Sequence, residues 1–198
     1  MIKQRVLFDM DGCLVNMIGG ISAFISNNYK DIYWSNEHVL QWDIFSSIPD
    51  KIASVNAFEH MKSRGFFRNL EAVHQAIIAY QTLEKLGHNV AVCTTPLPWD
   101  NYKEQSMSDK QEWVKQYLGD KAADKIIFSF DKTRECANII IDDKPDLTLG
   151  KQDIKFKHWL IVDHVYNRNL PKVDFLPIGR ILNDWSNWQE EFVKLELI

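Results

Sequence analysis

The sequence predicts an α/β protein built on a parallel sheet that is covered on both faces and flanked by helices. After residue 70, short continuous apolar runs alternate with segments of helical spacing, which is typical of buried parallel strands joined by helices. Polar residues follow several of these runs, and such sheets bind ligands at the edge where their strands end. With 198 residues, 45% of them hydrophobic, the chain can form one core of normal size with a small appendage.

The first strand, Val6-Leu7-Phe8, leads directly into Asp9-Met10-Asp11-Gly12. In an extended backbone the side chains of Asp9 and Asp11 point the same way, and Gly12 relieves the turn that follows. Two converging carboxylates repel each other unless they share a cation or a proton. An isolated Asp-x-Asp is also typical of a solvated turn. Its position at the end of an apolar strand favours a site.

The residues from about 16 to 70 do not follow this alternation. They lack strong strand runs and contain aromatic-rich patches such as Gln41-Trp42-Asp43-Ile44-Phe45. We interpret this segment as a mainly helical insertion over the sheet edge. The predicted domains are therefore a core formed by residues 1–15 and 71–198 and a small helical cap formed by residues 16–70.

The elements after the insertion follow in a regular order. Helical spacing begins at Val73 and ends before Gly87, and a second helix over residues 110–118 is closed by Gly119. Buried strands are predicted over residues 90–93, 126–128, 139–141 and 159–162, and a terminal helix carrying Trp185 and Trp188 packs on the core. The strand ends thus supply a set of polar residues, namely Asp9, Asp11, Thr94, Lys132, Asp142 and Asp143.

Composition excludes several classes of partner. The net charge is −4 and the sequence contains no long Lys/Arg block, so a large nucleic acid is disfavoured. We expect neither a signal peptide nor a membrane partner, because the apolar runs are short. The three cysteines, Cys13, Cys93 and Cys136, show no C-x-x-C spacing and are predicted to be reduced core residues in a cytoplasmic protein. The six histidines show no metal spacing and are interpreted as structural.

The strand-end residues resemble the four motifs of the haloacid dehalogenase superfamily of phosphatases. The closer resemblance is to the 5'(3')-deoxyribonucleotidases of that superfamily, and it extends over most of the chain. The resemblance implies a haloacid dehalogenase-like Rossmannoid core with a small helical cap. It rests on Asp9-Met10-Asp11-Gly12, Gly65-Phe66-Phe67-Arg68-Asn69-Leu70-Glu71, Cys93-Thr94-Thr95-Pro96, Asp109-Lys110-Gln111-Glu112-Trp113-Val114, Asp131-Lys132-Thr133 and Ile141-Asp142-Asp143-Lys144-Pro145-Asp146.

The chemistry of these residues agrees with that resemblance. A phosphate monoester repels nucleophiles through its own charge, so a catalyst must neutralise charge and hold an in-line approach. Asp9 is the predicted nucleophile, which forms an aspartyl-phosphate, and Asp11 the general acid and base. Lys132 would hold the phosphate and keep the nucleophilic carboxylate ionised. Thr94 and the amide after it would donate hydrogen bonds to the phosphoryl oxygens, with Lys110 as an auxiliary contact.

Mg²⁺ is the expected metal, because hard oxygen ligands suit it and the sequence has no Cys/His cluster. The resemblance implies that Asp9, the backbone carbonyl of Asp11 and Asp143 hold the ion. Asp142 is either an additional ligand or lies in the surrounding shell.

The resemblance also implies an aromatic cap pocket that closes over the base of a nucleotide. The positions that would form it are Met17, Trp42, Asp43, Ile44, Met61 and Thr95. Flat aromatic rings suit stacking against a base. In the alternative interpretation, Trp42 and Phe45 are simply the core of the cap. Better-known animal members carry an aromatic residue, an arginine and a lysine where Met17, Phe130 and Pro98 stand here.

The sequence therefore predicts a Mg²⁺-dependent phosphomonoesterase that acts on (deoxy)ribonucleoside monophosphates. One alternative is the same chemistry on another small phosphate ester, such as a sugar phosphate. A second alternative is a regulatory binding module without catalysis, which the costly burial of a charged cluster disfavours. The expected partner is a small-molecule nucleotide. A homodimer stays open as the assembly, because the sequence does not determine the oligomeric state.

Overall fold

The computed structural model describes residues 2–151, 153–169 and 176–198. Within these ranges a sheet of six strands has the order β3-β2-β1-β4-β5-β6, and every neighbouring pair is parallel. This confirms the predicted parallel α/β fold. The last strand was not predicted, because it is short and contains a glycine and an arginine. The strands are β1 (Arg5–Phe8), β2 (Asn89–Thr94), β3 (Ile127–Phe128), β4 (Ile139–Asp142), β5 (His158–Val162) and β6 (Ile178–Ile181).

The register of the three central strands brings their carboxyl ends together. Phe8, the last residue of β1, lies opposite Val92 in β2 and Ile141 in β4. The backbone N–H of Asp9 continues this ladder by donating to the carbonyl of Ile141 at 2.8 Å. The residues that follow β1, β2 and β4 therefore share one edge of the sheet.

Helices cover one face of this sheet. They are α3 (His74–Lys85), α4 (Asp100–Leu118), α5 (Asp120–Ala123) and α6 (Trp188–Lys194). The other face packs against Leu147, Phe156 and Leu176, which belong to the connections beside β5. The sheet is thus covered on both faces, but along the described chain these connections do not contain an α-helix.

Two helix boundaries differ from the prediction. Helix α4 begins ten residues before Lys110, because its first half is polar and lacks the apolar spacing that reveals a helix. Trp185 precedes α6 instead of lying in it, with a backbone φ of 60°, and its ring stacks on Phe8 at 5.8 Å. Both Trp185 and Trp188 are buried, so their predicted packing on the core is confirmed although the helical position of Trp185 is wrong.

The segment between β1 and α3 is mainly helical. It contains α1 (Met17–Asn28), α2 (Lys51–Met61) and single 3-10 turns at Asn36–His38, Ile44–Ser47 and Phe67–Asn69. The two ends of this segment lie side by side. The N–H of Asn16 donates to the carbonyl of Glu71 at 2.9 Å, and the N–H of Val73 donates to the carbonyl of Leu14 at 2.8 Å. These crossing points lie at the expected boundaries, and the division into core and cap stays a prediction.

The cysteines are all free thiols, and they occupy two kinds of environment. Cys13 and Cys93 are buried, as predicted, whereas Cys136 is exposed, so its predicted core position is wrong. Cys136 follows a 3-10 turn at Lys132–Arg134 and precedes β4, where the chain runs over the surface.

In the described ranges, helices of the length and apolarity needed to cross a membrane do not occur.

Candidate active site

A cavity of about 590 Å³ opens between the carboxyl edge of the sheet and the segment from α1 to the 3-10 turn Ile44–Ser47. It brings together most of the predicted site residues. Thr94 and Lys110 are buried beside it, and Met61 is buried in the hydrophobic core instead of lining the cavity. The predicted residues that line it are Asp9, Asp11, Met17, Trp42, Asp43, Ile44, Thr95, Lys132, Asp142 and Asp143.

Lys132 joins two buried carboxylates. Its ammonium lies 2.7 Å from Asp9 Oδ2 and 2.7 Å from Asp142 Oδ2. Burial opposes the charge of Lys132, but Asp142 and Asp9 outweigh it and raise the pKa of this lysine well above its ordinary value. Burial raises the pKa of Asp142 to about 6, against the lowering effect of Lys132. The three groups form one charged unit, in which Asp142 orients the lysine toward Asp9.

Each side-chain oxygen of Asp142 accepts one hydrogen bond. Its Oδ2 accepts from Lys132, and its Oδ1 accepts from the backbone N–H of Lys144 at 2.9 Å. Asp143 differs, because its Oδ1 is buried without a hydrogen-bond partner among the residues that the structure describes. Burial, together with Asp9 and Asp142, raises the pKa of Asp143 well above its ordinary value. A buried carboxylate oxygen without a partner is available as a ligand for a cation.

The donor atoms near Asp143 are close enough to share an ion. Ligand atoms of Asp9, Cys13 and Asp143 all lie within 4.8 Å of one another, and all three residues are buried. The two carboxylates are hard oxygen donors, which fit Mg²⁺. Burial and the surrounding carboxylates raise the pKa of the Cys13 thiol well above its ordinary value, so this thiol stays protonated at neutral pH and does not compete as a ligand for a hard cation.

Lys110 is directed at Asp11. Its ammonium donates to Asp11 Oδ2 at 2.5 Å, to Thr94 Oγ1 at 2.9 Å and to the carbonyl of Thr95 at 2.7 Å. These three acceptors use all three of its N–H groups. Burial raises the pKa of Asp11, and the neighbouring Lys110 opposes that rise. Lys110 thus fixes Asp11 and Thr94 relative to each other.

The opposite wall of the cavity is mainly apolar, with one acidic residue, Asp43. Trp42 is 46% exposed, and it meets Tyr166 edge to face with ring centroids 5.6 Å apart. Met17 and Ile44 are partly buried and lie on the same wall. A planar, partly open wall opposite a charged floor can hold a ligand with a flat apolar part and an anionic end.

Sequence reasoning missed the loop that follows β5. His164, which was interpreted as structural, contacts the first motif, with its Nε2 2.7 Å from the carbonyl of Gly12. Asn167 donates from Nδ2 to the carbonyl of Asp143 at 2.8 Å, and the Tyr166 hydroxyl donates to Asp143 Oδ2. The available signal was position, because this loop leaves a parallel strand at the same sheet edge as the motifs.

The chain matches a family model described as "5' nucleotidase, deoxy (Pyrimidine), cytosolic type C protein" over residues 3–190. The human cytosolic-type 5'(3')-deoxyribonucleotidase is 28% identical over 200 residues, covering 94% of this chain and 92% of that protein. The human mitochondrial 5'(3')-deoxyribonucleotidase is 27% identical over 194 residues, covering 92% and 79%. A Bordetella parapertussis protein, provisionally named a 5'(3')-deoxyribonucleotidase, is 35% identical over 126 residues. This alignment covers 63% of this chain but only 61% of that relative.

Solved structures with a similar fold have much lower sequence identity. A haloacid dehalogenase family hydrolase from Deinococcus radiodurans R1, with bound phosphate and sodium, has a TM-score of 0.57 at 13% identity and covers 99% of this chain and 97% of its own. A dehalogenase has a TM-score of 0.56 at 12% identity, with coverages of 97% and 96%. The similarity to these proteins concerns the fold alone.

Proposed function

Since the chain belongs to the family of 5' nucleotidase, deoxy (pyrimidine), cytosolic type C proteins, we propose that it is a phosphomonoesterase acting on deoxyribonucleoside monophosphates. The observation that carries the proposal is the geometry of one cavity. The buried Asp9–Lys132 pair forms its floor and the half-exposed Trp42 ring forms part of its wall. Such a cavity suits a ligand with a phosphate at one end and a flat base at the other.

In this proposal Asp9 is the nucleophile. Its carboxylate oxygen forms a bond to phosphorus while the bond from phosphorus to the ester oxygen breaks, which leaves an aspartyl-phosphate and an alcohol. Lys132 holds the phosphoryl oxygens and pairs with the Asp9 carboxylate at 2.7 Å. Asp11 donates its proton to the leaving oxygen, and then takes a proton from the water that hydrolyses the aspartyl-phosphate.

The residues around Asp143 fit a divalent cation, and we propose Mg²⁺. Asp9, Asp143 and the backbone carbonyl of Asp11 would hold it, with the unpartnered Asp143 Oδ1 as the supporting observation. Bound there, the ion would neutralise charge between the carboxylates and the phosphate. Asp142 Oδ2 accepts a hydrogen bond from Lys132, and positioning this lysine is the role that we propose for Asp142.

We propose that the base lies against Trp42, with Met17, Ile44 and Thr95 nearby. The exposure of Trp42 favours this role over that of cap core, since a core residue would be covered. Met61 is buried away from the cavity, and we leave it out of the proposed base pocket. The free thiols support a reducing compartment, and we propose a cytoplasmic location.

Release of inorganic phosphate tests the activity. A panel of deoxyribonucleotides, ribonucleotides and sugar phosphates should give the highest kcat/KM with deoxyribonucleotides, and Asp9→Asn should abolish turnover while the fold is kept. Preference for sugar phosphates would favour the alternative substrate class. Failure to release phosphate from any of them would leave the non-catalytic alternative.

Two tryptophan variants test the base pocket. Because stacking on an aromatic ring contributes roughly 1–3 kcal/mol per base, Trp42→Ala should lower kcat/KM for a deoxyribonucleotide by about ten- to a hundredfold. An aryl phosphate, which hardly reaches the cap, should lose much less. Trp99→Ala is the matched control, because Trp99 is similarly exposed, at 43%, but does not line the cavity. Parallel losses for both substrates would assign Trp42 to the cap core.

A further inference from the structure

Tyr166 lies in the cavity between the charged floor and the wall that contains Trp42. It belongs to the 3-10 turn Val165–Asn167 after β5, and its side chain lines the same cavity as Asp9 and Trp42. The four sequence motifs that predicted the site do not include this loop. Its contacts suggest that it is part of the site's machinery.

The hydroxyl of Tyr166 binds one oxygen of Asp143. It donates to Oδ2, which leaves Oδ1 as the oxygen without a partner. A carboxylate held on one oxygen cannot rotate freely, so its other oxygen is kept in a single direction. Groups that orient a metal ligand in this way typically change metal affinity by about 10- to 100-fold when they are removed.

The space around this hydrogen bond is tightly filled. Gly12 has a φ of +71°, and a Cβ at that position would overlap the Asp143 carboxylate and lie 3.3 Å from the Tyr166 hydroxyl. On its other side the Tyr166 ring stacks on His164, with centroids 5.0 Å apart and planes 4° apart. Gly12 and His164 thus contact the Asp143–Tyr166 pair from two sides.

Hydrogen bonds of Asn167 hold the loop that carries Tyr166 in place. Asn167 is fully buried and donates to the carbonyls of Asp143 and Val162, at 2.8 Å each. Its Oδ1 accepts from the backbone N–H of His164 at 3.0 Å. These bonds tie the loop to the end of β5 and to the Asp143 segment, so the position of Tyr166 is set by the core of the protein.

The ring of Tyr166 also contacts the insertion. Trp42 meets it edge to face with ring centroids 5.6 Å apart, an arrangement that aromatic pairs prefer. Because Trp42 is half exposed, Tyr166 supplies a fixed surface against which the indole can rest. The same side chain thus touches a carboxylate on the sheet edge and an aromatic residue of the insertion.

We propose that Tyr166 is a positioning residue for two parts of the site, the cation site and the base pocket. Its hydroxyl orients Asp143 toward the divalent cation, and its ring holds Trp42 in the orientation that receives the base. This inference rests on the proposed function. It adds a residue from the loop after β5 to a site otherwise built from the first four strands and the insertion.

Metal binding in the absence of nucleotide tests the proposed role of the Tyr166 hydroxyl. Mn²⁺, which also prefers oxygen ligands, can be titrated into the metal-free full-length chain while the signal of the free ion is followed by electron paramagnetic resonance. Tyr166→Phe and Tyr166→Leu should both weaken Mn²⁺ binding by about 10- to 100-fold. Tyr33→Phe is the control, because Tyr33 is 78% exposed and should bind Mn²⁺ as the wild type does.

Comparing the two Tyr166 variants tests the proposed role of the Tyr166 ring. At saturating Mg²⁺, KM for a deoxyribonucleotide should be higher in Tyr166→Leu than in Tyr166→Phe, because only leucine removes the ring beside Trp42. Equal KM values would overturn the role of the ring, and wild-type Mn²⁺ affinity in Tyr166→Phe would overturn the role of the hydroxyl. If either result comes with normal phosphate release by the wild type, the inference fails while the proposed function stands. A wild type that neither binds Mn²⁺ nor releases phosphate overturns both.

Discussion

Replacing Lys132 with methionine should destabilise the metal-free protein severely. Lys132 is only 7% exposed, and its ammonium lies 2.7 Å from the carboxylates of both Asp9 and Asp142. Methionine keeps most of the aliphatic volume, so the change removes charge and hydrogen bonds while packing is largely kept. Removing one partner of a buried ion pair costs roughly 3–5 kcal/mol, because the remaining charge is left uncompensated. Two carboxylates lose their partner in this case, which places the expected loss at the upper end of that range.

Urea unfolding at pH 8 in the presence of a chelator measures this loss as the change in the free energy of unfolding. Lys151→Met is the matched control, because its ammonium lies 2.9 Å from Asp131 but its side chain is 44% exposed. An exposed pair of that kind contributes about 0–1 kcal/mol. Added Mg²⁺ should restore part of the stability of Lys132→Met, since the ion would supply positive charge to Asp9, one of the two carboxylates that lose the ammonium.

The reasoning would be refuted if Lys132→Met and Lys151→Met lost similar amounts of stability at pH 8. Such a result would mean that the buried carboxylates do not depend on Lys132 for their charge balance. If Mg²⁺ failed to stabilise Lys132→Met at all, the proposed metal position would be refuted.

Three further predictions concern neighbouring residues. Asp11→Asn should retain more of its turnover with an aryl phosphate than with an alkyl phosphate, because a good leaving group needs little acid assistance; equal losses in steady-state assays would count against Asp11 as the acid. Gly12→Ala should lower the melting temperature and weaken Mn²⁺ binding, because φ is +71° and the added Cβ would overlap Asp143; an unchanged Mn²⁺ titration would contradict this packing. Burial raises the pKa of Asp142 to about 6, so the folded state binds this proton more tightly than the unfolded state. Through this group the free energy of unfolding should therefore fall as pH rises from about 4 to 6 in metal-free protein. Urea unfolding should show that Asp142→Asn reduces this dependence of the free energy of unfolding on pH. Identical pH dependence in Asp142→Asn and the wild type would contradict the raised pKa of Asp142.

The sequence by itself predicted five of the six strands of the described sheet and the edge at which its charged residues lie. Short apolar runs followed by acidic residues are local patterns, and parallel pairing brings such strand ends to one edge whatever the rest of the chain does. Asp9, Asp142 and Lys132 could therefore be placed in one site before any coordinates were known. Phosphate chemistry came from the resemblance of these residues to phosphatase motifs, and the nucleophilic, acidic and cationic side chains agree with it.

The tertiary structure decided which atom meets which. Both oxygens of Asp142 are used by Lys132 and Lys144, whereas Asp143 keeps one oxygen without a partner, and adjacent aspartates in a sequence do not reveal this difference. Met61 and Trp42 were equal candidates for the base pocket, yet the first is buried and the second is exposed. Tyr166 reaches Asp143 from 23 residues away along the chain. Such contacts depend on how separate segments pack, and the local patterns that predict strands and helices carry no information about packing at that distance.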